Sequence, residues 1–182
     1  MKHVLALSVL SVLTQAAPLD DLYKFKKDTT WTYKRLENEI ERKIVAKALG
    51  EDGGFQRIDW QEFEKDGKLH KSSVISWSIA EGVLTAAAKS QDEEITFGVI
   101  KEGSKKGDKW QTALGEMIHE GTVEITVPAG TYKDALKTRL DFGDQGRIDF
   151  FLAPKVGLIK IAVIEGAKES QLWELTEFKA AK

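Results

Sequence analysis

Trp60, Glu62 and Glu64 lie within one short stretch. A glycoside hydrolase needs two carboxylates flanking a sugar, commonly beside an aromatic platform, so the ingredients of that chemistry are present here. The chain carries 29 acidic residues, however, and neighbouring pairs such as Asp20-Asp21 and Asp92-Glu93-Glu94 recur along it. Exposed carboxylates are ordinarily solvated surface, so the pairing alone does not mark a catalytic centre. His70 and His119 are the histidines beyond position 3, neither has a second His at metal-ligand spacing, and Cys is absent. A zinc site would lack its usual donors, and no metal or cofactor is implied. Ser72, Ser73, Ser76 and Ser78 cluster without the Gly-x-Ser-x-Gly surround of a nucleophile elbow. Asp141-Phe142-Gly143 copies a kinase tripeptide without the other kinase signatures, and Asp141, Asp144 and Gly146 lack calcium-loop spacing. No catalytic residue is assigned.

Aromatic residues make the stronger case. The five Trp are Trp31, Trp60, Trp77, Trp110 and Trp173. Such rings either plug a core or line an apolar cavity. Trp31, Trp77 and Trp110, with Phe150, are the candidate ligand-lining residues, because each lies in a segment that reads as a strand.

Those segments fix the architecture. Thr122–Val127, Arg147–Phe150, Glu94–Val99 and the run through Ile75, Trp77 and Ile79 alternate polar and apolar residues. That period puts one face on a core and one in water, as in antiparallel sheets. Leu158–Ile164 is nearly all apolar and reads as a strand covered on both faces or beside a cavity. Turn signals separate the runs: Asp52-Gly53-Gly54, Asp66-Gly67, Glu81-Gly82, Pro128-Ala129-Gly130 and Gly143-Asp144-Gln145-Gly146. Residues 36–49 fit either helix or strand spacing. Trp31 and Tyr33 before them favour a strand–turn–strand with its turn near Asn38. A short helix is expected over Leu19–Phe25. The fold class is therefore mainly β: a single antiparallel curved sheet or half-open barrel, with little helix. Matches between the Lys26–Trp31 and Lys105–Trp110 segments suggest two similar half-domains, 23–100 and 101–182.

Met1-Lys2-His3, the apolar run Val4–Leu13 and Gln15-Ala16-Ala17 have the layout of a secretory signal peptide, with cleavage near Ala16 or Ala17. Residues 1–17 are thus expected to leave, and 18–182 to form one β-rich domain in the periplasm or the medium. Loss of Lys2 leaves 26 basic against 29 acidic residues, so no basic excess supports nucleic-acid binding. No second apolar run approaches the roughly 18 residues of a membrane span.

Three segments carry a resemblance. Phe25-Lys26-Lys27-Asp28 leads to Thr30-Trp31-Thr32-Tyr33. Val127-Pro128-Ala129-Gly130-Thr131-Tyr132-Lys133 follows, then Ala153-Pro154-Lys155-Val156-Gly157-Leu158. In this order they resemble a loose group of exported bacterial proteins of unknown function. The group's pattern has Gly where this chain has Asp28 and Lys155, which puts the local turn geometry in question. The resemblance implies a curved sheet like the open half-barrel of periplasmic lipoprotein carriers, and no functional residues.

The expected function is non-enzymatic binding of an apolar ligand, such as a lipid, or of a lipidated partner. The alternatives are an envelope protein-interaction scaffold and a glycan-active hydrolase.

Overall fold

The computed structural model describes residues 18–90, 93–166 and 168–182. The leader expected over residues 1–17 lies outside them. The described residues form one 12-stranded antiparallel sheet that does not close, as the alternating patterns anticipate. A single helical turn, α1 (Asp20–Tyr23), precedes it. The first meander runs through β1 (Thr30–Glu37), β2 (Ile40–Asp52), β3 (Phe55–Phe63), β4 (Leu69–Ala80), β5 (Val83–Ser90) and β6 (Glu93–Lys101). The second runs through β7 (Lys109–Gln111), β8 (Glu116–Val127), β9 (Gly130–Asp141), β10 (Arg147–Ala153), β11 (Gly157–Glu165) and β12 (Lys168–Lys179). A 3-10 turn, Gly143–Gln145, joins β9 to β10. Residues 36–49 are strand, turn and strand, with Asn38 and Glu39 both at positive φ in the turn.

The two meanders join in the middle of the sheet, where β1 pairs with β12 from Thr30↔Lys179 to Glu37↔Gln171. The outer strands β6 and β7 are the sheet's two edges, yet only residues 102–108 separate them in sequence. So short a connection forces the edges toward each other, and the sheet curls round a single interior. Phe97 of β6 stacks on Phe150 of β10 with ring centroids 5.6 Å apart, though these strands lie on opposite wings. Gly98 makes room at this seam: a Cβ there would sit 2.7 Å from Val83 Cγ1 and 3.4 Å from Trp110 Nε1. Register shifts in β1/β12, β2/β3, β8/β9 and β10/β11 mark bulges, which bend strands and add twist.

Two hairpin tips fold against the central strands. These are the Pro128-Ala129-Gly130 and Pro154-Lys155-Val156 turns that stand out in the sequence. The first donates Ala129 N–H to Leu175 O of β12 at 3.0 Å. The second is held by Trp31 Nε1, which donates to Val156 O at 2.6 Å, and by Tyr33 OH, which donates to Leu158 O at 2.8 Å. Asp28 and Lys155, the two departures from Gly in the resembled pattern, both adopt left-handed backbone, with φ of 71° and 65°. The geometry that favours Gly is thus kept there by non-Gly residues, at a cost in strain.

Candidate aromatic chamber

Alternation in β1 puts Trp31 and Tyr33 on the concave face, and alternation in β3 puts Ile58 and Trp60 beside them. Register then brings Ala46 of β2 between Trp31 and Trp60. Trp77 of β4 lies opposite Gln56 of β3. These residues and Leu158 wall a chamber on the concave side, and Leu22, Tyr23 and Phe25 close it. The remaining cavity is about 20 Å³, room for roughly one water molecule.

The rings form a continuous set. Phe25 meets Trp31 edge-on at 4.8 Å, and Tyr33 stacks on Trp60 at 5.3 Å. Trp60 continues to Trp173 at 5.5 Å. The Arg35 guanidinium lies over the Trp173 ring at 5.4 Å. Burial pushes the Tyr33 phenol far above its ordinary pKa, so it remains a hydrogen-bond donor to Leu158 O at any physiological pH.

The entrance segment is held by main-chain contacts. Phe25 N–H donates to Gln56 Oε1 at 3.1 Å, and Lys155 N–H donates to Asp21 O at 2.6 Å. Gly157, with φ +82°, lets the segment approach: a Cβ there would lie 2.8 Å from Phe25 Cζ and 3.1 Å from Leu22 O. Only a residue without a side chain accommodates both the left-handed backbone and that contact.

Beyond the rings the concave face turns ionic. Glu62, 4% exposed, accepts from Arg35 Nη1 at 2.8 and 2.9 Å through its two oxygens. Arg35 Nη2 donates to Glu37 and Gln171. Glu64 accepts from Arg42 Nε at 3.3 Å and lies 2.7 Å from His70 Nδ1. The carboxylates that sit beside Trp60 in sequence are therefore engaged in ion pairs.

Ser104 and His119 meet at 3.0 Å, but the Ser104 hydroxyl already donates to Lys101 O at 2.7 Å. This contact ties the 102–108 connection to β8. Among the described residues no cluster of His, Cys, Asp and Glu could hold a metal ion.

Of the aromatic candidates, Trp31 and Trp77 line the chamber, while Trp110 sits at the β6–β7 seam and Phe150 stacks on Phe97. Tyr33, Ile58 and Trp60 were missed as lining residues, as were Leu22, Tyr23 and Phe25 from the entrance. The period-two step from Trp31 to Tyr33 was the available signal for one of them.

No protein-family model and no curated protein matches the sequence. Solved structures do match in fold. A protein from Parabacteroides distasonis, assigned as a lipoprotein, superposes with a TM-score of 0.62 at 15% identity, covering 87% of this chain and 98% of that one. A protein from Bacteroides fragilis, assigned as exported and described as having a YmcC-like fold, gives 0.60 at 10% identity, with the same coverage of each chain. No helix among the described residues is long and apolar enough to cross a membrane. At these identities the shared property is the fold: this curved antiparallel sheet is one also found in bacterial proteins assigned as a lipoprotein and as exported.

Proposed function

We propose that the chain is an exported, non-enzymatic binding protein whose aromatic chamber takes an apolar ligand, either a lipid or the apolar part of a lipidated partner. The observation that carries this reading is the concave chamber walled by Trp31, Tyr33, Trp60 and Trp77 and closed by a short separate segment. Ligand sites are typically concave and apolar with few polar groups, and this one fits that description. As it stands the chamber has room for about one water, so a larger ligand enters by displacing Leu22, Tyr23 and Phe25. Residues 1–17 are read as a leader, which puts the mature protein in the periplasm or the medium. The two meanders are read as related halves, 23–100 and 101–182.

Native mass spectrometry of the chain from Pro18, purified from its host without delipidation, tests the reading. A retained apolar mass released on denaturation supports it. A bare chain that also fails to retain added palmitate in the Phe25→Ala variant refutes it.

The envelope-scaffold reading has one observation of its own. Among the described residues, Gly121–Val127 of β8 pair with β9 on one side and with no strand on the other. An open edge of this kind accepts an added strand. Co-purification of a partner lost on Val123→Pro substitution would favour it.

A further inference from the structure

We infer that the chamber's ligand is a polypeptide segment and that Leu19–Phe25 is its built-in competitor. The inference keeps the chamber as the binding site of that reading and assigns its apolar ligand as the side chains of a peptide in place of a lipid. Its first support is the observed occupant. Leu22, Tyr23 and Phe25 fill the space between Trp31, Ile58 and Trp77 until about 20 Å³ remains. The groove is thus complementary to a peptide bearing apolar and aromatic side chains at this spacing.

The second support is polar. The chamber reads main chain at separate points, through Gln56 Oε1 on the Phe25 amide and the Lys155 amide on Asp21 O. Gln56 is 2% exposed. A hydrocarbon chain offers neither an N–H nor a C=O, and it would leave the buried Gln56 carbonyl without its donor. Gly157 adds a third feature, since its missing side chain admits a backbone carbonyl, Leu22 O, at close range.

The third support is the tether. α1 is a single turn with no side-chain cap, and so short a helix has no stability of its own. Residues 26–29 join it to β1 by a turn fixed on β2, where Asp28 N–H donates to Ala48 O at 2.8 Å and Ala48 N–H to Thr29 O at 2.8 Å, so the far end of the tether is anchored independently of the segment. The partner is accordingly an apolar segment of another protein, with Leu-x-x-Leu-Tyr-x-Phe-like spacing, which must outcompete a tethered copy.

The chain has no Cys, so Lys24→Cys accepts a single dye on the exposed side of the segment. The probe is a synthetic peptide of Pro18–Asp28, added to the otherwise unsubstituted chain. Millimolar peptide should free the segment and lower the dye's fluorescence anisotropy, because the tethered segment competes at an effective concentration of that order. The same peptide should bind at least about 100-fold more tightly to the Leu22→Ser/Phe25→Ser chain, checked for folding by near-ultraviolet circular dichroism, whose own segment no longer competes. If that variant does not fold, Phe25→Ala replaces it. A peptide carrying the same two Ser substitutions should not bind.

Unchanged anisotropy at millimolar peptide, with the chain still folded, overturns the inference and makes the segment a fixed part of the core. Palmitate retained where peptide is not overturns the peptide class while leaving the apolar-ligand reading intact. Binding of neither overturns both.

Discussion

Gly157→Ala is the most searching perturbation of the chamber. An L-residue in left-handed backbone costs about 1–2 kcal/mol, and Gly157 has φ +82°. The new Cβ would also lie 2.8 Å from Phe25 Cζ and 3.1 Å from Leu22 O. The ring edge can yield by a few tenths of an ångström, but the carbonyl moves only with α1. Overpacking of this kind costs about 1–3 kcal/mol. The substitution should therefore cost about 3 kcal/mol, which lowers Tm by roughly 6–12 °C for a chain of this length. A double-mutant cycle with Phe25→Ala separates the two parts. With the ring removed, Gly157→Ala should cost only its backbone part and the contact with Leu22 O, giving a coupling energy of about 1 kcal/mol or more. Thermal and urea unfolding followed by circular dichroism measures all four corners. An equal cost in both backgrounds would refute the claim that Gly157 is there to seat the entrance segment.

Lys155→Gly should stabilise the protein by about 0.5–1 kcal/mol, since relief of left-handed strain exceeds the extra chain entropy of Gly. A lowered urea midpoint would contradict it. Glu62→Gln should cost about 1–3 kcal/mol, because Arg35, with its side chain 15% exposed, then keeps only Glu37 as a charged partner. Unfolding in urea reads this directly, and Arg35→Met in the same background should recover part of the loss. Tyr33→Phe removes the donor to Leu158 O and should cost about 1–3 kcal/mol without displacing the aromatic stack, as Trp fluorescence would show.

Desolvation holds His119 below its ordinary pKa, opposed by its hydrogen bond with Ser104 and by Asp108. Its contribution to stability is then full above about pH 6.5 and is lost as the pH falls from there through the lowered folded value. The loss is at most about 1.4 kcal/mol per pH unit. Urea midpoints of the unsubstituted chain should fall more steeply than those of His119→Gln between pH 7.5 and 5.5, and parallel slopes would refute the assignment.

Much of this architecture was legible because period-two alternation is a local property. Thr122–Val127 and Arg147–Phe150 read as strands from their own residues, and both are strands. The turn after Glu37 was legible because Trp31 and Tyr33 favour strand and Asn38 tolerates left-handed backbone. The chamber was only half legible. Trp31 and Trp77 reach it through register, but nothing local distinguishes them from Trp110, which the β6–β7 connection carries to the seam. Gln56, Leu22 and Gly157 were invisible as site residues, since their roles arise when a hairpin tip folds inward over α1. Trp60 was noticed for its neighbouring carboxylates. Its actual neighbours, Tyr33 and Trp173, come from distant positions in the chain.

The pairing of β1 with β12 has a consequence for how the molecule reaches its native state. Each six-stranded meander consists of hairpins between sequence neighbours, which close quickly. The central seam instead joins Thr30 to Lys179 and Trp31 to Phe178, and such distant contacts form slowly. Until β12 is in place, β1 and β11 each present an unpaired border, and Trp60 lacks Trp173. A chain cut before Lys168 would thus be split through the centre of its sheet rather than shortened at a margin. The expected product is two adhesive half-sheets prone to pair with other copies.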